Sequence, residues 1–297
     1  MHNSMKPSRS SQAVIHLLFI LVTLSMVLPF LLVVSISLSS EADLLQNGYS
    51  LFPRAFSTEA YSLVLQAPKA ILQAYGVTGT VTIAGTCFGL LLTAMTAYVI
   101  SRQDFRYNRI GTFIIFFTML FNGGLVPSYI LMTQVLHLKD TLWALILSGM
   151  LTPFNIMVMK GFLGKIPGEI IESAKVDGAR ELTIFFRIIL PLALPALATI
   201  GLFISFGFWN SWFPAMLYID NPNLVTLQLM LVRIMDSIEF MTQNEQMLSQ
   251  MGSTPKDFPA LSARMAMVIL AAGPMLLVFP FFQRYFVQGL TVGSLKG

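Results

Sequence analysis

The sequence predicts an all-α polytopic membrane protein with six transmembrane helices, on two observations. Charged residues make up 11% of the 297 residues and apolar ones 55%, whereas soluble domains carry about 25% charge. Six stretches, about 14–37, 77–100, 110–130, 142–158, 188–212 and 266–282, come close to the roughly 20 apolar residues a span needs and hold no Asp, Glu, Lys or Arg. One central charge costs about 2.5–3.5 kcal/mol on insertion and one Leu returns about 0.3–0.6, so a charge-free run is strong evidence for a span.

The first span, 14–37, is too long for the core of a secretory leader and no small-residue cleavage site follows it, so it is read as a retained helix. It follows a short N-terminus, 1–12; residues 13–297 form one transmembrane domain. A long segment, 39–74, leads to the second span, which carries the single cysteine, Cys87. One thiol forms neither an internal disulfide nor a metal cluster, and Cys87 is read as a small packing residue. Prolines and glycines within the spans are tolerated, because neighbouring helices satisfy the freed backbone groups. Another long segment, 213–265, precedes the last span. Its stretch "TLQLMLVRIMDSIEFM", 226–241, has helical spacing with Leu227, Leu231 and Ile234 on one side; it fits a surface helix or one lying flat on lipid.

Six spans put both termini on one side of the membrane. That side holds twelve basic residues: Lys6, Arg9, Arg102, Arg106, Arg109, Lys160, Lys165, Lys175, Arg180, Arg187, Arg284 and Lys296. The other holds Arg54, Lys69, Lys139, Arg233, Lys256 and Arg264. The positive-inside rule makes the first side cytoplasmic. The net charge of +4 then reflects topology, and with no basic stripe interleaved with aromatics there is no case for a nucleic-acid partner.

Signatures of autonomous chemistry are missing. No G-x-x-x-x-G-K-[ST] phosphate loop, H-E-x-x-H or G-x-S-x-G occurs. Ion-coupled carriers need ionisable groups inside the membrane, and the spans have none, which disfavours an ion-coupled secondary carrier. The chain reads as a non-enzyme with no cofactor of its own, driven by a partner.

The densest charge lies in the cytoplasmic loop 159–187 and just beyond it, in "ESAKVDGARELTIFFRIILP", 172–191. It reads as two short helices. Pro167 suits a first turn, with Glu169 and Glu172 toward the positive end of the helix and Lys175 toward the negative end. Gly178 ends it, Asp177 is expected to cap the second helix, and Leu182, Phe185, Phe186 and Ile189 form one apolar face of that helix. On pattern alone the first helix fits either a groove on a cytoplasmic partner or the bilayer surface.

This segment resembles the EAA signature of ABC-importer permeases: E-A-A, three residues, G, nine residues, I-x-L-P. Here Glu172, Ser173, Ala174, Gly178, Ile188, Leu190 and Pro191 keep every spacing, with Ser173 for alanine as the one departure. The resemblance extends to the carbohydrate-uptake group in "TAYVISRQDFR", 96–106, and in the tail "RYFVQGLTVGSLKG", 284–297, which is similar to that of the second permease of maltose-type systems. "FNGGLVPSYI", 121–130, and "PALSARMAM", 259–267, look like the complex-oligosaccharide branch. Gly76-Val77 departs from the Asn-Ser with which the family's second span usually begins.

The resemblance implies a coupling helix seated in an ATP-binding subunit through Glu172, Ser173, Ala174, Asp177 and Gly178. It implies a second homologous permease as heterodimer partner, two ATP-binding subunits that use ATP and Mg, an extracytoplasmic solute-binding protein whose cleft is probed by a loop within 213–265, and a bacterial inner-membrane location. Oligosaccharides are the expected cargo, acidic uronate oligomers among them, although no basic residue within the spans supports an acidic one; amino acids or peptides share the coupling signature. Polar and aromatic residues toward the bundle centre give pathway candidates: Asn122, Asn155, Trp209, Asn210 and Trp212. Trp209 and Trp212 equally suit an interfacial belt, and Asn122 beside Gly123 and Gly124 equally suits a helix-packing or helix-breaking device.

Overall fold

The computed structural model describes residues 9–244 and 259–294. Lys6, Lys256 and the last three residues of the 284–297 motif lie outside them. The described residues are helical apart from loops and one isolated bridge, Ser39 to Phe56. In chain order the helices are α1 (Arg9–Ser37), α2 (Glu41–Asn47), α3 (Glu59–Val64), α4 (Pro68–Ser101), α5 (Asn108–Leu120), α6 (Leu125–Val135), α7 (Leu142–Gly149), α8 (Pro153–Leu163), α9 (Gly168–Val176), α10 (Glu181–Leu192), α11 (Leu194–Trp209), α12 (Phe213–Tyr218), α13 (Leu227–Gln243) and α14 (Ala260–Ser294).

Three helices, α1, α4 and α14, are long and apolar enough to cross a membrane unbroken. The other three expected spans are bent pairs: α5 with α6 at 111°, α7 with α8 at 52°, and α10 with α11 at 83°. Thus 110–130, 142–158 and 188–212 are not single straight helices. Each bend has a physical cause. Pro127, Pro153 and Pro195 stand in the first turn of α6, α8 and α11, where the missing N–H is harmless and the ring clashes with the carbonyl four residues back, at 123, 149 and 191. At the sharpest bend Gly124 adopts φ +91°, and Asn122 Oδ1 accepts its N–H at 2.9 Å. This bond fits the helix-breaking reading of Asn122.

The second span starts earlier than 77. Helix α4 begins at Pro68 and runs 34 residues, about 51 Å at 1.5 Å per residue, well beyond a hydrocarbon core of about 30 Å. Gly76-Val77 therefore lies inside a helix. Cys87 is exposed on α4, so it is not a packing residue within this chain.

The chain divides into two compact units. One comprises Lys69–Val232 with Pro274–Gly297; its core gathers Ala97, Met159, Ile184, Phe185, Ile189, Ile200 and Phe208. Helix α4 supplies a stripe of small residues to that core: Thr82, Gly85, Thr86, Gly89 and Thr93 recur at 3, 4, 7 and 11 residues. A Cβ on Gly85 would stand 2.4 Å from the Phe208 ring, and one on Gly89 2.6 Å from the Met150 carbonyl oxygen, so backbones approach here as no larger residue allows. The start of α13 is held by Thr78 Oγ1, which accepts the Leu227 N–H at 2.8 Å. Leu227, Leu229 and Leu231 are buried, so this turn packs on protein and does not lie flat on lipid. At the end of the unit away from the charged loop, Asp140 Oδ1 accepts the backbone N–H groups of Asp220 at 2.6 Å and Asn221 at 2.8 Å. Those bonds hold its carboxyl below the usual carboxylate range.

The other unit comprises Met1–Pro68 with Arg233–Gly273. The segment expected as a plain outer loop, 39–74, folds back through α2 and α3, with Ser37 Oγ 2.9 Å from the Tyr61 hydroxyl. Glu41 is buried, and its carboxylate accepts the N–H groups of Leu261 at 2.9 Å and Ser262 at 3.1 Å and the Ser262 hydroxyl at 3.0 Å. A carboxylate at the N-terminal turn of α14 satisfies orphan donors and meets the positive end of the helix dipole.

Candidate coupling site and substrate pathway

Helices α9 and α10 form the charged loop's two-helix unit. The first ends in a Schellman turn: Ala179 N–H donates to Ala174 O at 3.0 Å and Gly178 N–H to Lys175 O at 3.0 Å. That turn needs φ +78° at Gly178, open to glycine without the Cβ penalty. Asp177 is the C-cap of α9 and does not cap the second helix, which starts at Glu181 with Arg180 at the N-cap and no side-chain cap bond. The extra turn residues 178–180 carry the chain past the point where Asp177 could reach. Ala174 is buried in the core cluster, while Glu172, Ser173 and Asp177 are exposed and Val176 is 88% exposed. One face of α9 is thus seated on its own chain, and another is uncovered.

A charged cluster ties this pair to the end of α4. Arg102 reaches Asp104 through two bonds, one of 2.7 Å from Nε, and donates from Nη1 to Glu181 Oε2 at 2.6 Å and to the Tyr98 hydroxyl at 2.7 Å. Lys175 Nζ closes the ring, 2.9 Å from Asp104 Oδ2 and 3.3 Å from Glu181 Oε1. Hydrogen bonds from Arg102 and Lys175 hold the Asp104 carboxyl well below its ordinary range. Partial burial works to raise Glu181, but the bonds from Tyr98 and Lys175 and the nearby cations leave it lowered. The bond to Asp104 raises Lys175 in turn. Beside the cluster a cleft of about 400 Å³ is lined by Asp104, Lys165, Pro167 and Glu172 among others. The motif 96–106 had pointed to this region without linking Arg102 and Asp104 to Lys175 and Glu181; contact between residues 71 and 79 apart leaves no local pattern.

The pathway candidates fall at helix discontinuities. Asn122 serves the α5–α6 bend. Asn155 is buried in the first turn of α8, just past the α7–α8 break. Trp209 ends α11 and is buried, its ring 6.3 Å from that of Tyr75 on α4. Asn210 donates its side-chain N–H to Phe206 O at 2.9 Å, and Trp212 is 39% exposed, edge-on to Phe213 at 5.6 Å. Trp209 is thus buried beside Tyr75, whereas Trp212 is partly exposed. Tyr75 was missed, since a lone tyrosine ahead of an apolar run carries no signal of its own.

A family model described as "Binding-protein-dependent transport system inner membrane component" matches residues 85–292, well over half of the chain. The chain belongs to this family. The permease is 36% identical over 271 residues to Protein LplC of Bacillus subtilis, spanning 91% of this chain and 90% of that one. It is 37% identical to the polygalacturonan/rhamnogalacturonan transport system permease protein YtcP of the same organism, over 91% and 93%. Among solved structures it matches the crystal structure of a bacterial ABC transporter involved in the import of the acidic polysaccharide alginate, with TM-score 0.78 and 29% identity over 95% of this chain and 100% of that one.

Two further features of the permease bear on passage. The hydroxyls of Thr82, Thr86 and Thr93 are buried and have no hydrogen-bond partner among the described residues, so α4 carries unspent polar capacity next to its glycines. The non-helical break at 121–124 is exposed on this chain. Non-helical backbone at membrane depth is stable only against protein or water, so the permease presents a surface that lipid alone does not satisfy.

Proposed function

We propose that this permease forms half of the transmembrane pathway of an ATP-driven importer of oligosaccharides, uronate oligomers among them. Helix α9 transmits motion from a separate ATP-binding subunit through Glu172, Ser173, Ala174, Asp177 and Gly178. The observation that carries the reading is the arrangement of α9: anchored by Ala174 on one face, uncovered at Glu172 and Ser173 on the other, and braced by the Arg102 cluster. A helix held this way moves as a lever rather than as a loop. ATP and Mg act on two partner subunits, and the charged loop and both termini face the cytoplasm, in line with the distribution of basic residues. The uncovered bend at 121–124 supports a second, homologous permease as the other half, and an extracytoplasmic binding protein delivers cargo to it. The cargo class is supported by the names of the relatives, two of which concern acidic polysaccharides. Asn122, Asn155, Trp209, Asn210 and Trp212, with Tyr75, are the proposed pathway groups, aromatic rings stacking on sugar faces and amides bonding hydroxyls.

The test is reconstitution of the whole complex in proteoliposomes. ATP inside should drive uptake of oligogalacturonate delivered by the binding protein, and Ser173→Cys should crosslink to a cysteine in the cleft of the ATP-binding subunit. Uptake driven by an ion gradient without ATP would refute the mechanism. Uptake of peptides in place of sugars would refute the cargo while leaving the coupling intact.

A further inference from the structure

A second polar cleft lies beside the charged loop and is used by none of the chemistry above. It has a volume of about 480 Å³ between the end of α4, the first turns of α5 and the last turns of α8. Arg109 and Lys160 both line it, and among the described residues no carboxylate does. Its neutral polar groups are committed within the chain: Asn108 Nδ2 donates to Arg102 O at 2.8 Å and the Thr112 hydroxyl to Asn108 O at 2.7 Å. Lys160 Nζ spends one N–H on Thr112 Oγ1 at 2.8 Å. An ammonium has three donors, so two remain, together with the five of Arg109. Arg102 and Lys175, in the charged cluster, are paired with Asp104 and Glu181; among the described residues no such carboxylate lines this cleft.

The walls decide what anion fits. Phe113 and Phe116 line the cleft and are 64% and 46% exposed; they stand one and two turns farther along α5 than Arg109, in the direction of the membrane. A soluble anion would leave those rings unmatched. A ligand with an anionic head and an apolar tail satisfies both halves, and two cations at the end of apolar helices are the setting in which phosphate headgroups bind.

We infer that this cleft binds the phosphate of an anionic phospholipid in the leaflet on the charged-loop side, with Arg109 and Lys160 on the phosphate and the acyl chains along Phe113 and Phe116. Phosphate is the shared chemistry of a lipid head and free inorganic phosphate; the rings favour the lipid.

The experiment is native mass spectrometry of the full chain, purified in detergent with its partner subunits and titrated with phosphatidylglycerol, phosphatidylcholine or inorganic phosphate. Phosphatidylglycerol should bind about tenfold or more tighter than phosphatidylcholine. Arg109→Gln with Lys160→Gln should erase that preference, while Lys160→Arg and the neighbouring Arg106→Gln, outside the cleft, keep it. Retained helical circular dichroism and partner content show that the double variant is folded. Equal binding of the two lipids, or a preference that survives the double change, overturns the site. Displacement of the lipid by millimolar phosphate overturns the lipid as its source. Loss of the ATP-binding subunit with the lipid preference intact assigns the two cations to that partner and overturns the site as well.

Discussion

Gly85 and Gly89 give the sharpest test of how the spans pack. Gly85→Ala would put a methyl carbon 2.4 Å from the Phe208 ring, about 1 Å inside an ordinary contact of roughly 3.5–4.0 Å. The ring cannot back away freely, because Phe208 is 5% exposed and packed in the core of its unit. Overpacking of this kind costs about 1–3 kcal/mol. At about 2–4 °C per kcal/mol, the melting temperature of the detergent-solubilised permease should fall by about 2–12 °C, read by intrinsic fluorescence at one scan rate. Phe208→Leu removes the offending atoms, so in that background Gly85→Ala should cost close to nothing, a coupling of about 1–3 kcal/mol. Gly89→Ala is the contrast, because its clash is with the Met150 backbone carbonyl, and no side-chain truncation relieves that. An equal cost of Gly85→Ala with and without the Phe208 ring would refute the reasoning, as would rescue of Gly89→Ala by Phe208→Leu.

Three further outcomes are expected. Gly178→Val forces a β-branched residue to φ +78° where no neighbouring atom crowds it, a backbone cost of about 1–2 kcal/mol; uptake should fall, and Gly178→Asn, which tolerates that region, should retain most of it. Glu41→Ala leaves two backbone N–H groups and a hydroxyl without their acceptor, at about 1–3 kcal/mol, seen as a lower melting temperature. Asp104 and Glu181 have lowered folded values, so their contribution to stability is complete above the unfolded carboxylate values near 4 and is lost as pH falls through the folded ones. Melting temperatures taken from pH 7 to 3 should therefore fall more steeply for the native permease than for Asp104→Asn with Glu181→Gln.

That the chain is an all-helical membrane protein was legible because it rests on run length and absence of charge, both properties of the sequence itself; the described residues give three unbroken spans, or six with each bent pair counted as one. Their shape was not. Pro127, Pro153 and Pro195 break helices, yet Pro29, Pro274 and Pro280 lie within unbroken ones, so a proline alone does not say which. What separates Pro127 in hindsight is its company: Asn122, Gly123 and Gly124 supply a side-chain acceptor and a positive φ that make the break stable. The coupling turn was legible at Gly178, whose requirement is local, and misread at Asp177, where the second helix starts three residues later than the capping pattern implied. Gly85-x-x-x-Gly89 was a readable small-residue motif that passed unnoticed inside an apolar run. The contacts of Arg102 with Glu181 and of Glu41 with Ser262 were beyond reach, because partners 79 and 221 residues apart leave no periodic trace.

Two kinds of contact hold the coupling pair, and their magnitudes assign them different work. The ion pairs of Arg102, Asp104, Lys175 and Glu181 are partly open to water, with side-chain exposures of 55% and 56% for the two carboxylates; exposed pairs of this kind are worth about 0–1 kcal/mol each and weaken with salt. On the other side of α10, Ile184, Phe185 and Ile189 are within 2% of full burial, each worth about 1.5–3 kcal/mol, and the Phe185 ring lies 5.4 Å from that of Tyr98. Apolar packing therefore fixes α10 to the core, and the cluster sets the angle at which α9 leaves it. In the proposed coupling, a push on Glu172 would meet Lys175 on the same helix, whose bond to Asp104, and through it to Arg102, leads to the end of α4. Helix α4 carries the glycines against Phe208 and Met150 and, near its start, Tyr75 beside Trp209, so on the proposed mechanism a rigid shift of α4 would link the charged loop to the aromatic pair without any relay of side-chain movements between them.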